Sequence, residues 1–201
     1  RVSVVVLCFN NLEMTKACLN SLERFSHYPN LEIIVVDNAS SDGTAEFLEE
    51  LLSRQEELPF AELKVISNER NLGFAGGNNV GIWQAAGDYV VLLNNDTFVT
   101  RGWVLDLIRH FRLAPDLGLI GPVTNMIGNE AKVPMDYTSM EEMAVQARDY
   151  TIRRDRRRLS TSTLGFFCVA ISRRVLDEVG LLDEEFEVGF FEDDDYCRRA
   201  E

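Results

Sequence analysis

Basic residues are scarce beside acidic ones: 20 lysines and arginines stand against 33 aspartates and glutamates in 201 residues, a formal net charge of −13 at pH 7. That balance excludes a protein that tracks nucleic-acid phosphates with a basic face. A free nucleotide carried with a cation stays compatible, because the cation offsets repulsion between carboxylates and phosphate. The four cysteines, Cys8, Cys18, Cys168 and Cys197, are widely spaced and form no C-x-x-C pair. Neither a zinc site nor a disulfide framework is expected, and a reducing cytosol is the expected compartment. The two histidines, His27 and His110, fall in segments read as helical and are expected to be structural. No apolar run approaches the roughly 18 residues of a membrane span; 166–171 is among the longest. The start Arg1-Val2-Ser3 lacks a signal-peptide layout. The chain is therefore expected neither to be secreted nor to span a bilayer by itself. Internal repeats, low-complexity tracts and linkers are also missing, so residues 1–201 are read as a single domain.

What is present is a strand–helix alternation. Val2 to Cys8 is a run of β-branched and apolar residues, the pattern of a strand covered on both faces. Leu12 to Phe25 then shows helical apolar spacing, Leu31 to Val36 is a second strand, and a helix follows through Ala45, Phe47, Leu48, Leu51 and Leu52. Strands over Leu63 to Ile66 and Tyr89 to Leu93 alternate with helices over Ala75 to Ala86 and Trp103 to Leu113. This order predicts a parallel sheet with helices on both faces and a nucleotide site at the carboxyl ends of its strands. The second half is less regular. Strands are predicted over Leu117 to Val123 and Thr163 to Ile171, helices over Met140 to Ile152 and Arg173 to Val179, the latter closed by Gly180, and a helix from Asp193 onward.

Four segments carry chemistry, and each follows a predicted strand or lies in a loop that a parallel sheet would gather on one edge. In Val36-Asp37-Asn38-Ala39-Ser40-Ser41-Asp42-Gly43-Thr44, Asp37 at a strand end can accept hydrogen bonds from a base or ribose, while Ser41 or Asp42 suits a helix cap. In the glycine-rich stretch 68–79, glycines let the backbone approach phosphate at a helix N-terminus. That stretch matches neither the P-loop nor the G-x-G-x-x-G fingerprint. In Leu92-Leu93-Asn94-Asn95-Asp96-Thr97 an apolar strand delivers Asp96 to the edge, where one carboxylate suffices for Mg2+ or Mn2+ when a diphosphate supplies further oxygens. In Phe190-Phe191-Glu192-Asp193-Asp194-Asp195 four carboxylates follow two aromatics. They suit either a solvated helical first turn or, in a cleft, coupled titrations with a raised pKa fit for a general base.

In this order the segments resemble the family 2 inverting glycosyltransferases of the GT-A fold, of the rhamnosyltransferase-like, cell-surface polysaccharide type, over essentially the whole chain. The resemblance implies a mixed, mostly parallel sheet flanked by helices, with a nucleotide-binding N-terminal half and an acceptor-binding C-terminal half. It places Phe9, Asn10 and Asp37 on the nucleoside, Asn71, Gly73, Gly76 and Asn79 beside the donor, and Asn94-Asn95-Asp96 at the Asp-x-Asp metal motif. Asn94 replaces that motif's first acid, which leaves Asp96 as the metal ligand. Glu192-Asp193 matches the Glu-Asp pair whose Asp is the base, with Asp195 as runner-up. The implied reaction is a hexosyl transfer from a UDP-, dTDP- or GDP-sugar to a saccharide or lipid-linked acceptor hydroxyl, with inversion and Mg2+ or Mn2+ as cofactor.

Family members usually continue with helices that close the site, so this chain is expected to be the catalytic core of a longer protein. The run Arg153, Arg154, Arg156, Arg157 and Arg158 reads either as a solvated face or as a contact to anionic lipid at the inner membrane face. Two rivals remain: a degenerate module that binds nucleotide without chemistry, and a sugar-phosphate nucleotidyltransferase. The second needs a glycine-rich, basic first loop, and Phe9-Asn10-Asn11-Leu12-Glu13 has neither. Phe166, Phe167, Phe190 and Phe191 are candidate stacking surfaces for a sugar ring or, equally, core.

Overall fold

The computed structural model describes residues 1–186 and 191–201. In chain order the elements are β1 (Val2–Cys8), α1 (Leu12–Phe25), β2 (Leu31–Asp37), α2 (Thr44–Ser53), β3 (Glu62–Ser67), α3 (Gly73–Gln84), β4 (Tyr89–Asn94) and α4 (Trp103–Leu113). Then follow β5 (Leu119–Ile120), α5 (Met140–Arg153), β6 (Cys168–Ser172), α6 (Arg173–Val179) and α7 (Glu192–Ala200). The sheet order is β3-β2-β1-β4-β6-β5. β3, β2, β1 and β4 run parallel, β6 runs antiparallel to β4, and β5 antiparallel to β6. The expected mixed, mostly parallel GT-A arrangement is the one found.

Alternation along each strand explains the continuous apolar runs. Val2, Val4, Val6 and Cys8 of β1, with Leu31, Ile33 and Val35 of β2, pack under α1, α2 and α4. Val5, Ile34, Val36, Val90 and Leu92 pack on the opposite face with residues of α3, α6 and α7. Both faces are covered, so neither offers a place for alternating polar residues. Glu32 and Ser3 break this rule at the amino end of the sheet, and Glu32 is fully buried. Its carboxylate is met by Lys64 Nζ at 2.7 Å, Arg1 at 2.9 Å, the Ala86 N–H at 3.0 Å and the Ser3 hydroxyl.

The chain builds outward from β1 through β2 to β3, then crosses back to place β4 on the other side of β1. That reversal between β1 and β4 is a topological switch point, the place where an open α/β sheet leaves a crevice beyond its strand ends.

The second half departs from the expected lengths. β6 begins at Cys168, paired with Leu93, and not at Thr163, because β4 ends at Asn94 and leaves nothing further to pair with. Residues 163–165 are irregular and 166–167 form a turn instead, and β5 shortens to two residues. His27 lies in the turn after α1 and is exposed, not helical as expected. His110 sits buried in α4 with its pKa lowered by burial and by Arg109.

Candidate active site

The loop after β1 starts the site. Asn10 and Asn11 both hold left-handed backbone angles, φ 55° and 62°, which asparagine tolerates better than most residues. The Asn10 N–H donates to Ser40 Oγ at 2.7 Å, and Asn10 Oδ1 accepts from the Ser41 N–H at 2.8 Å. The turns after β1 and β2 are thereby joined. Asp42 serves both following helices, accepting from the Leu12 N–H at 2.8 Å with one oxygen and from the Thr44 hydroxyl at 2.6 Å with the other. Phe9 stands 48% exposed beside this junction. Asp37 is buried at the end of β2, with Oδ1 accepting from the Ser40 N–H at 3.0 Å and Oδ2 without a hydrogen-bond partner among the described residues.

Asn38, the next residue, ties the glycine-rich segment to the sheet. Its Nδ2 donates to Asn71 Oδ1 at 2.7 Å and to the Gly73 carbonyl at 3.1 Å. Its Oδ1 accepts from Asn68 Nδ2 and the Leu72 N–H, both at 3.0 Å. All of this buried amide's capacity is used. Asn71 Oδ1 also accepts from the Gly73 N–H at 2.8 Å, at the φ 73° turn that opens α3.

In this segment 68–72 is irregular and α3 begins at Gly73, two residues ahead of the expected start at Ala75. The helix lies close on the sheet: a Cβ on Gly77 would lie 2.4 Å from Leu7 Cδ1, and one on Gly81, one turn further on, 2.2 Å from Val5 Cγ1. Gly76 faces Leu72 and Glu184. Asn79 is buried, its amide hydrogens bonded to the Leu182 carbonyl and Glu184, both at 2.9 Å, and its oxygen accepting from the Leu182 N–H at 3.0 Å. It has no amide hydrogen left for a ligand and holds the chain after α6 in place.

At the end of β4 the Asn94 N–H donates to the Phe167 carbonyl at 2.9 Å, linking this turn to the segment before β6. Asn95 donates inward, to Thr15 Oγ1 at 2.8 Å and the Asn10 carbonyl at 3.4 Å. The side chains of Asn94, half-buried, and Asp96, exposed, make no hydrogen bond among the described residues. Asp96 thus offers exposed carboxylate oxygens, the hard donor chemistry that suits Mg2+ or Mn2+ sharing a diphosphate. No cluster of three His, Cys, Asp or Glu side chains forms a metal cage among the described residues. Cysteine offers no softer alternative. All four thiols are buried, and burial pushes Cys8 and Cys168 up to about 12.

The acidic segment folds into the first turn of α7, behind Phe191, which is 66% exposed with φ 76°. Phe190 lies outside the described residues. Glu192 is buried. Asp193 is half-buried, and its pKa is raised by burial and by the neighbouring Asp194 charge, against the Asp194 N–H bonded to Oδ1 at 2.9 Å. Asp193 and Asp194 line a cavity of about 350 Å³ together with Asn129, Glu130 and Thr161 to Thr163. Asp195 turns the other way and pairs with Arg199 at 2.8 Å. Phe166 is buried against Tyr196, ring centroids 5.8 Å apart, so it is core. Phe167 also packs on the core.

The residues that sequence reasoning missed are Asn38 as a four-way tie, Thr15 beneath Asn95, and the cavity wall at 127–130 and 161–163. Only Asn38 carried a signal, its place beside Asp37 at a strand end.

Comparison with known proteins gives a family and a fold. The description of glycosyl transferase family 2 matches residues 3–180. The poly-beta-1,6-N-acetyl-D-glucosamine synthase of Staphylococcus epidermidis is 33% identical over 119 residues, 59% of this chain and 27% of that protein. The chain thus spans about a quarter of the length of that relative. Among solved structures, the mannosyltransferase PcManGT from Pyrobaculum calidifontis, in complex with GDP-Man and Mn2+, superposes with a TM-score of 0.71 at 21% identity, over 98% of this chain and 50% of that one. TarS 1-349 of S. aureus in complex with UDP-GlcNAc superposes with a TM-score of 0.67 at 20% identity, over 100% and 53%. At those identities the likeness shows the fold. With a family match that covers most of its length and a sheet of the matching architecture, the chain belongs to glycosyl transferase family 2.

Proposed function

We propose that this chain transfers a hexose from a nucleotide-diphosphate sugar to an acceptor hydroxyl, in the synthesis of a polysaccharide or glycoconjugate. The observation that carries the reading is Asp193: a half-buried carboxylate with raised pKa, lining a cavity together with Asp194, Glu130 and the hydroxyl-bearing residues 161–163. Phe9 offers an open ring to the base and Asp37 a free carboxylate oxygen to the nucleoside, on a junction that Asn10 locks. Asn71 and Gly73, fixed by Asn38, shape the wall beside the donor. The relatives named with GDP-Man and UDP-GlcNAc support a nucleotide-sugar donor of this kind.

In the reaction, Asp193 takes the proton of the acceptor hydroxyl while that oxygen forms a bond to the anomeric carbon. The bond from that carbon to the diphosphate oxygen breaks, and the nucleoside diphosphate leaves from the opposite face, so configuration inverts. A positioned general base contributes about 10² to 10⁴ in rate. Asp96, with Asn94 beside it, would hold Mg2+ or Mn2+, and a bound cation would supply Lewis-acid stabilisation of the leaving group. Asp195 is paired with Arg199 and does not line that cavity. The stereochemistry of the product, read by NMR, tests the displacement: an inverted anomeric centre is expected, and a retained one would rule out Asp193 as the sole proton acceptor in a single step.

A second observation bears on location. No helix among the described residues is long and apolar enough to cross a membrane. The arginines 153, 154 and 156–158 are all exposed, next to Ile152 at 63% and Leu159 at 78% exposure. A cationic, partly apolar surface on an otherwise acidic chain supports peripheral contact with anionic lipid at the inner membrane face, where a lipid-linked acceptor would be met.

A further inference from the structure

Two segments outside the motifs wall the cavity that holds Asp193. One is the loop 124–133, closed on itself by the Thr124 N–H to the Ala131 carbonyl at 3.0 Å, the Val133 N–H to the Thr124 carbonyl at 2.8 Å, and the Lys132 N–H to the Asn129 carbonyl at 3.1 Å. The other is 161–165, ahead of β6. Two contacts join them. Thr161 Oγ1 donates to Glu130 Oε1 at 2.5 Å, and Ile127 lies against Gly165, where a Cβ would come within 2.5 Å of Ile127 Cδ1. The absence of a side chain at Gly165 is what lets the two walls meet.

The consequence is a fixed pattern of charge. Glu130, Asp193 and Asp194 present three carboxylates, the 161–163 run presents three hydroxyls, and no Lys or Arg lines the cavity among the described residues. Sugar hydroxyls find both donors and acceptors on such a wall, and an ammonium group finds carboxylates. A phosphate or uronate group finds like charge instead, with no fixed cation to offset it. Glu130 is exposed, so the dielectric there is close to that of water, and two like charges about 6 Å apart weaken binding roughly threefold.

We infer that this cavity is an acceptor subsite selective for saccharides free of anionic groups, hydroxyl-rich or amino-bearing, and that Glu130, held by Thr161, sets that selectivity. The inference rests on the glycosyltransferase reading above. It selects among acceptors by charge, which neither the family motifs nor the donor contacts address.

The test is binding of three matched aryl glycosides, a glucoside, a glucosaminide and a glucuronide, followed by saturation-transfer NMR in the presence of nucleoside diphosphate and Mn2+. The full chain is used, as wild type, Glu130→Lys and Thr161→Val, with melting curves as the check on folding. Wild type is expected to bind the glucoside and glucosaminide at least about threefold more tightly than the glucuronide. Glu130→Lys should erase or reverse that order, and Thr161→Val, which frees the Glu130 carboxylate, should narrow it. An unchanged order in a folded Glu130→Lys protein, or binding of none of the glycosides, overturns the inference. Donor hydrolysis by the wild type separates the two readings: turnover with no charge preference sinks the subsite alone, whereas no turnover and no nucleotide binding sinks both.

Discussion

Replacing Gly81 with alanine sets two known effects against each other. In a helix interior alanine is favoured over glycine by about 1 kcal/mol, so at an open position the change stabilises. At Gly81 the new Cβ would lie 2.2 Å from Val5 Cγ1, 3.1 Å from Val5 Cγ2 and 3.2 Å from Val36 Cγ2. Valine is stiff at χ1, and Val5 is fully buried in the central strand β1, so it cannot swing away. The helix must lift from the sheet, an overpacking cost of typically 1–3 kcal/mol, and the upper half of that range applies because the clash is with a rigid partner. The net expectation is a loss of about 1–2 kcal/mol, or roughly 2–8 °C in melting temperature for a chain of this size. Gly77→Ala, whose 2.4 Å clash is with the more flexible Leu7, should cost less. Urea unfolding of both variants measures this, with nucleotide affinity in parallel. A Gly81→Ala protein that is stabilised would refute the packing argument.

Further expectations follow from the same contacts. Asn38→Leu strips four hydrogen bonds from a buried amide and leaves the Leu72 N–H without its acceptor, so a loss of about 2–4 kcal/mol is expected in denaturant unfolding; a loss below about 1 kcal/mol would mean that the tie is replaced by water. For Glu32, burial alone raises the pKa, but bonds from Lys64, Ser3 and Ala86 outweigh it and the net value is lowered. A depressed folded value contributes stability above the unfolded pKa of about 4.3 that is lost as pH falls through the folded value. The stability gap between wild type and Glu32→Gln should therefore narrow below about pH 4.3, and a gap that widens on acidification contradicts the sign. Charge reversal of the arginines at 153, 154 and 156–158 should abolish binding to anionic liposomes, at about 1 kcal/mol per basic residue; undiminished binding removes the membrane contact.

Much of the fold was legible because its physics is local. β1 and β2, covered on both faces, read as unbroken apolar runs, and α1 and α4 kept a one-sided apolar spacing that fixed both ends. The misread parts depend on partners distant in sequence. β6 starts where β4 stops pairing, which nothing in residues 163–167 announces. The close packing of Gly77 and Gly81 of α3 on Leu7 and Val5 was not visible, because the spacing of glycines does not name the side chains they lie against. In the site, Asp37, Asp96 and Asp193 were visible as acids at strand and helix ends. The commitment of Asn79 to Leu182 was not, since it spans 103 residues. The cavity wall, built from Glu130 and Thr161, carries no motif at all.

The most direct measurement is nucleotide binding and donor turnover side by side, across UDP-, dTDP- and GDP-sugars, with Mn2+, Mg2+ or EDTA, on wild type, Asp96→Ala and Asp193→Asn. Metal-dependent binding of one nucleotide class, weakened by Asp96→Ala, is expected, with Asp193→Asn retaining that binding and losing about 10² to 10⁴ in turnover. Nucleotide binding without turnover in the wild type, or turnover that survives Asp193→Asn undiminished, would contradict the assignment of Asp193 as the base.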